Sequence, residues 1–192
     1  MSVSRETTVS FDRLAELVRE WNPRINLVSP GTLVTLETRH IADSQQIAEL
    51  APEARTWVDL GSGGGFPGIV IAAERPETQV TLVESDQRKC VFLRRAAKVL
   101  GIDIKVHAAR IEAVPPLLPD VISARALAPL DRLLSLALPH GRPDTRYIFP
   151  KGTRHTDEIA TARERWRFDI DVRPSKTDKE AVILILENIQ RA

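Results

Sequence analysis

The residues with the clearest chemical potential form the run Asp59-Leu60-Gly61-Ser62-Gly63-Gly64-Gly65-Phe66-Pro67-Gly68. It overlaps the end of a short apolar segment, Trp57-Val58-Asp59-Leu60. Glycine has no Cβ, so a loop this rich in it lets backbone approach a ligand where other residues would clash. Open sheets of parallel strands bind ligands at the carboxyl ends of their strands, which is where such a loop would sit. The next strand-like run, Gln79 to Glu84, ends in a carboxylate. A carboxylate at that place can accept two hydrogen bonds from a vicinal diol, so Glu84 suits a ribose-bearing ligand.

These groups need a frame, and the chain supplies one. After the glycine loop, Pro67 to Ala73 reads as a helix, Gln79 to Glu84 as a strand, and Gln87 to Leu100 as a helix closed by Gly101. Strands follow at Ile104 to Ala108 and Val121 to Ser123, then a helix from Leu130 to Leu138 and a strand at Tyr147 to Phe149. A helix over Thr156 to Trp166 precedes strands at Phe168 to Val172 and Val182 to Leu186. Alternating strands and helices predict an α/β fold with a mostly parallel twisted sheet and helices on both faces. The last two strands lack a helix between them, so they should form a C-terminal antiparallel hairpin.

Ahead of this domain the pattern is helical. Phe11, Leu14, Ala15, Leu17, Val18 and Trp21 recur at helical spacing, with Ser10 as N-cap and Asn22-Pro23 as stop. A second helix is expected from near Thr32 and a third towards Leu50, before the linker Ala51-Pro52-Glu53. The division expected is a small N-terminal helical extension, 1–52, and an α/β domain, 53–192. The chain has 192 residues, 43% hydrophobic and 28% charged, which is ordinary for a globular protein. No apolar run approaches the roughly 20 residues that span a bilayer, and Met1 to Ser10 is too polar for a signal peptide. The single cysteine, Cys90, allows no internal disulfide and no cysteine-based metal cluster, so none is expected. These features suggest a cytoplasmic protein without a membrane partner, and nothing in them demands more than a monomer. The net charge of +1 does not announce a nucleic-acid partner, although basic residues outnumber acidic ones towards the C-terminus.

Two registers compete for the glycine loop. Gly63-Gly65-Gly68 formally matches the G-x-G-x-x-G of dinucleotide-binding domains and keeps an NAD-linked oxidoreductase in play. Asp59, Gly61, Gly63 and Gly65 instead follow the pattern acid-x-Gly-x-Gly-x-Gly. This second register resembles the first motif of class I S-adenosylmethionine methyltransferases, which have a Rossmann-like domain. The resemblance implies S-adenosylmethionine as cofactor, with Glu84 on its ribose. The fourth-strand segment Ile122-Ser123-Ala124-Arg125-Ala126-Leu127-Ala128-Pro129 lacks the Pro-Pro-aromatic motif seen in enzymes that methylate exocyclic amino groups. Pyrimidine C5 methylation needs a cysteine nucleophile, and Cys90 lies within a helix, where core packing is expected. Methylation of an atom that is already nucleophilic remains. Guanine N7 carries an exposed lone pair and requires no base, so catalysis would rest on in-line positioning, a contribution that can reach roughly 7–11 kcal/mol. Methylation of a small molecule or a protein stays open as the alternative.

Further residues narrow the comparison. Asn26-Leu27 and Arg39-His40-Ile41-Ala42-Asp43-Ser44 precede the glycine loop with its Phe66-Pro67-Gly68, and Arg125-Ala126 and Lys151-Gly152 follow it. In that order the segments resemble the bacterial guanine-N7 methyltransferases of small-subunit ribosomal RNA, also called the glucose-inhibited division protein B family. The resemblance implies small-subunit ribosomal RNA, or the ribosomal subunit, as partner. It implies cofactor contacts at Gly61, Phe66, Ile111, Glu112 and Arg125. Arg125 and Lys151, each at a strand end, become the catalytic candidates, Arg125 meeting the cofactor carboxylate or an RNA phosphate, and Lys151 a phosphate or guanine O6. Two positions depart from the family pattern, Gln45 in place of leucine and Ala124 between Ser123 and Arg125. His40 and Asp43 share a helical face, and the plainer expectation is that they tie their helix to the catalytic domain rather than act in catalysis. Arg88, Arg94, Arg95 and Lys98, and separately Arg154, Arg163, Arg165 and Arg167, are basic groups that either track RNA phosphates or form ordinary solvated faces.

Overall fold

The computed structural model describes residues 5–192, with side chains from residue 8 onwards. Strand β1 (Thr56–Leu60) is buried along nearly its whole length, which suits a strand covered on both faces. Trp57 points into a core on one face, and Val58 and Leu60 into a core on the other. β1 pairs in parallel with β2 (Gln79–Glu84) on one side and with β4 (Val121–Ser123) on the other, Asp59 lying opposite Leu82 and Ser123. β3 (Ile104–Ala108) extends the first side and β5 (Arg146–Lys151) the second. β6 (Trp166–Pro174) and β7 (Val182–Arg191) form an antiparallel hairpin whose second strand pairs with β5. The seven-stranded order is β3-β2-β1-β4-β5-β7-β6. Strand order reverses between β1 and β4, and a reversal of this kind opens a crevice at the carboxyl ends of the strands.

Helices cover both faces. α1 (Arg5–Ile25), α2 (Ala42–Ala48), α3 (Gly68–Glu74) and α4 (Gln87–Leu100) enclose the first core, where Leu14, Val18, Leu36 and Ile47 meet Trp57, Ile69, Leu82 and Phe92. α5 (Leu130–Ala137) and α6 (His155–Arg163) cover the second, with Leu133, Leu134 and Ala162 against Val58, Ile122, Phe149 and Trp166. The predicted mostly parallel sheet, two-sided helical cover and terminal hairpin are therefore all present. Gly101 caps α4 in the left-handed conformation, φ 66°, and Cys90 is a buried core residue whose thiol faces the Glu84 carbonyl.

The helical segment differs from expectation in three places. α1 already includes Ser10, so Ser10 is not its cap, and the helix runs through Pro23 to Ile25. It ends where Asn26 turns left-handed, φ 48°, while the buried Asn22 side chain accepts from the Val28 amide. The buried stripe of Phe11, Leu14, Ala15, Val18 and Ile25 outweighs a proline placed only in the last turn. Beyond it, the expected second helix is a 3₁₀ turn at Pro30–Thr32 and a π-helical turn at Glu37–Ile41 that leads directly into α2. Near the C-terminus, Trp166 opens β6 rather than closing α6, because its ring is buried in the second core and its Nε1 donates to Asp131. The hairpin strands outrun their apolar patches by pairing with each other through polar residues.

The hairpin tip closes back over α2. Gln46, 5% exposed, donates to Asp43 (2.7 Å), Ser175 (3.0 Å) and Thr177 (3.3 Å), and accepts from the Lys176 amide (2.8 Å). Arg39–Asp178 and Lys176–Glu49 ion pairs flank it. Arg75, also buried, donates to the carbonyls of Ala51 and Pro52 and holds the turn between α2 and β1. Gln46→Ala should lower the unfolding free energy by about 1–2 kcal/mol in denaturant titrations, since it removes this set of bonds. An unchanged midpoint would mean that the tip is not anchored through Gln46.

Candidate active site

Backbone geometry explains the glycines one by one. Gly61, Gly63 and Gly65 have φ of 66°, 53° and 87°, conformations that side chains resist. The Gly61 and Ser62 amides donate to the Val83 carbonyl, and the Gly65 amide to the Ser62 carbonyl, so the loop curls back over the end of β2. A Cβ on Gly65 would overlap Ile69, whereas Gly61 and Gly63 line an open cavity. Gly68, at the start of α3, packs against Leu82 and Asp59 and lets the helix approach the sheet closely. Of the acid-x-Gly-x-Gly-x-Gly register, Gly61 and Gly63 line the cavity and Gly65 packs behind it.

Asp59 is fully buried beneath the loop. Its Oδ1 accepts from the Ser123 hydroxyl (2.9 Å), which itself accepts from Trp57 Nε1 (2.9 Å), and its Oδ2 has no hydrogen-bond partner among the described residues. Burial pushes its carboxyl from the ordinary 3.8 up to about 6, against the pull of the Ser123 hydroxyl. Glu84, 8% exposed, accepts from the Gly63 amide through Oε2 and from the Asp86 amide through Oε1, both at 2.8 Å. Each oxygen keeps a second lone pair, so the carboxylate can order the loop and still receive a diol.

Two cavities open along the crevice. One, of about 470 Å³, is lined by Gly61, Gly63, Glu84, Ile111 and Glu112, with Leu136 among its apolar groups. Ile111 sits on a 3₁₀ turn after β3, and its carbonyl accepts from the buried His140 ring. The other, of about 450 Å³, is lined by His40, Asp43, Arg125, Lys151, Arg154 and Glu158, with the hairpin tip at its rim. Ala126, Leu127, Ala128 and Pro129 border both. This strip begins with Ala126 in a left-handed conformation, φ 52°, and lays Leu127 over Gly61. Asp59, Gly65 and Phe66 face neither cavity and lie behind their walls.

In the second cavity the Arg125 guanidinium donates to His40 Nδ1 (2.6 Å), the Arg39 carbonyl (3.2 Å) and Asp43 Oδ2 (3.4 Å), and its carbon lies 5.5 Å from the centre of the Phe66 ring. Lys151 donates to Glu158 and to the Ala128 carbonyl, each at 2.7 Å, which ties β5 and α6 to the shared strip. Four cations line this cavity against three carboxylates. The structure thus gathers His40, Asp43, Arg125 and Lys151 in one place, and Gly61, Gly63, Glu84, Ile111 and Glu112 in another. Of the basic residues noted in the sequence, Arg154 reaches the site, while Arg165 pairs with Asp131 and Arg163 stacks on Phe168. Sequence reasoning missed Leu127, Thr177 and His140. Only Leu127 carried a local signal, through its place in the segment after the fourth strand. At the departing position, Gln45 donates to Glu74 on α3.

The raised Asp59 pKa makes a measurable statement. A protonated, buried Asp59 favours the fold below about pH 4, and that advantage is lost as pH rises through about 6. The stability of the protein relative to its Asp59→Asn variant should therefore fall by about 3 kcal/mol between roughly pH 4 and 7 in denaturant titrations. A constant difference across this range would show that Asp59 titrates as an ordinary carboxylate.

Comparison with known proteins identifies the family and the fold. Residues 8–182 match the family model "GidB: rRNA small subunit methyltransferase G". The Ribosomal RNA small subunit methyltransferase G of Cereibacter sphaeroides (strain ATCC 17025) is 50% identical over 97% of this chain and 92% of its own length. That of Parvibaculum lavamentivorans is 52% identical over 95% of this chain and 84% of its own. Among solved structures, a putative O-methyltransferase from Klebsiella pneumoniae superposes with a TM-score of 0.66 at 18% identity, covering 93% of this chain and 90% of that one. An O-methyltransferase from Bacillus cereus in complex with SAH gives 0.65 at 15% identity over 93% and 90%. These two likenesses establish the fold. The match over residues 8–182 and the near-full-length relatives establish more: the chain belongs to the GidB family of rRNA small subunit methyltransferase G proteins.

Proposed function

We propose that this protein transfers a methyl group from S-adenosylmethionine to N7 of a guanine in small-subunit ribosomal RNA. The observation that carries this reading is the pair of cavities meeting at Ala126–Pro129, one holding Gly61, Gly63 and Glu84 and the other Arg125 and Lys151. The first fits S-adenosylmethionine in its donor set. Gly61 and Gly63 leave room for backbone contact, Glu84 offers acceptors to the ribose, and Ile111 and Glu112 frame the adenine. Asp59, Gly65 and Phe66 support these groups from behind. When bound, the cofactor supplies an electrophilic methyl on a sulfonium.

The protein's own contribution is placement. Guanine N7 attacks with an in-plane lone pair, so no side chain need remove a proton. Arg125 and Lys151 can hold a phosphate or the guanine O6, fixing the base against the shared strip. Arg125 lines the substrate-side cavity, and its contact with the cofactor carboxylate belongs to the same proposal. The reading also includes a division into a helical extension, 1–52, and a methyltransferase domain, 53–192, acting as a monomer in the cytoplasm. No helix among the described residues is long and apolar enough to cross a membrane.

Labelled methyl transfer to bacterial small ribosomal subunits lacking native methylation tests the proposal. Digestion should yield labelled 7-methylguanosine, reduced at least about tenfold by Arg125→Ala. In calorimetry, Glu84→Ala should weaken S-adenosylmethionine binding by about ten- to a hundredfold, because its ribose acceptors are lost. Transfer to no RNA by a protein that binds the cofactor would sink the substrate assignment and leave the fold intact.

A further inference from the structure

The surroundings of Arg125 are unusual for a buried cation. Its side chain is only 18% exposed, yet its one carboxylate partner among the described residues, Asp43, stands at 3.4 Å, while its shortest contact is a histidine nitrogen at 2.6 Å. A guanidinium can only donate, so His40 Nδ1 must present its lone pair and the ring proton must sit on Nε2. The other side of the ring agrees. Nε2 lies 2.8 Å from Thr32 Oγ1, and that hydroxyl spends its own proton on the Ser29 carbonyl at 3.0 Å. The His40 ring also packs on Phe66, at 5.2 Å and 34°, beside the stacked guanidinium.

We propose that His40 is a positioning residue that orients Arg125 by accepting its hydrogen bond as the neutral Nε2–H tautomer. The π-helical turn Glu37–Ile41 contributes twice to this arrangement, carrying the His40 ring and offering the Arg39 carbonyl to the same guanidinium. Asp43, one turn further, holds the third contact. These three acceptors leave part of the guanidinium's donor set without a protein partner among the described residues, and Arg125 lines the substrate-side cavity. A neutral acceptor has a consequence that a carboxylate would not. It fixes the geometry of Arg125 without cancelling its charge, so the cation remains available to an incoming anion or carbonyl. Burial, and the charges of Arg125 and Arg39, hold the His40 pKa down at about 4, which keeps the ring neutral at physiological pH.

This inference deepens the proposed function and rests on it only where rates are compared. Two variants separate its parts. His40→Phe keeps a ring beside Phe66 but removes the acceptor, whereas His40→Asn places an amide oxygen close to where Nδ1 stood. Ring-nitrogen NMR of the wild type at neutral pH should show an unprotonated Nδ1 and a protonated Nε2. The Arg125 Nη2–H resonance should be sharp in the wild type and in His40→Asn, and broadened in His40→Phe. Methyl transfer to small ribosomal subunits should fall about ten- to a hundredfold in His40→Phe and recover to within about threefold of wild type in His40→Asn. Thermal midpoints recorded in parallel identify any loss due to unfolding. A protonated Nδ1, an Arg125 signal indifferent to His40→Phe, or equal losses in both variants would each overturn the proposal. If the wild type transfers no methyl at all, the substrate assignment fails, and the two NMR readings alone decide the role of His40.

Discussion

A buried side-chain bridge reinforces the pairing of the two strands from whose ends the site emerges. Ser123, at the end of β4, donates to Asp59 at the end of β1 and accepts from Trp57 two residues earlier. All three side chains are buried. The bridge lies where strand order reverses, and there the helices on either side diverge and leave a crevice. Glycine loop and Ala126–Pro129 strip emerge from these two paired strands, so the ladder and the buried bridge together fix where both segments start. The interior can hold Asp59 so deeply only because its first oxygen is satisfied, and the raised pKa records the remaining cost of burial.

Electrostatics in the crevice follows a consistent division of labour. Glu84 spends one lone pair of each oxygen on backbone amides and keeps the others for a ligand. Lys151 is neutralised by Glu158 and anchors the shared strip through the Ala128 carbonyl. Arg125, by contrast, is held chiefly by a histidine nitrogen and a carbonyl. Lys151 and Arg125 line the same cavity, the first paired closely with a carboxylate and the second not fully cancelled. This arrangement suits chemistry by placement, in which the protein removes no proton and contributes mainly orientation.

The N-terminal helices share in that placement. They contribute Leu14, Val18, Leu36 and Ile47 to the same core as Trp57 and Phe92, and Gln46 ties them to the distant hairpin tip. Their helical character was legible from apolar spacing. Their breaks were not: α1 ends where Asn26 adopts a left-handed conformation, and the π-helical turn meets Arg125 and Asp178 from loops far along the chain. The hairpin shows the same limit. Its apolar patches marked the strands, while their full length came from pairing between polar residues that local hydrophobicity does not reveal.

What the sequence determined by itself was whatever local sterics and periodicity encode. Strand followed by glycines, an acid ending the next strand, and regular alternation of strands and helices each express a short-range requirement of the backbone. From these came the fold class, the glycine loop and the placing of Glu84 beside it. Tertiary structure alone decided which candidates work together. His40 meets Arg125 across 85 residues, and Gln46 meets the hairpin tip across about 130. The division of the crevice into two cavities depends on how Ala126–Pro129 folds over Gly61. Such partnerships are chosen by distance and direction in space, and residue spacing along the chain carries neither.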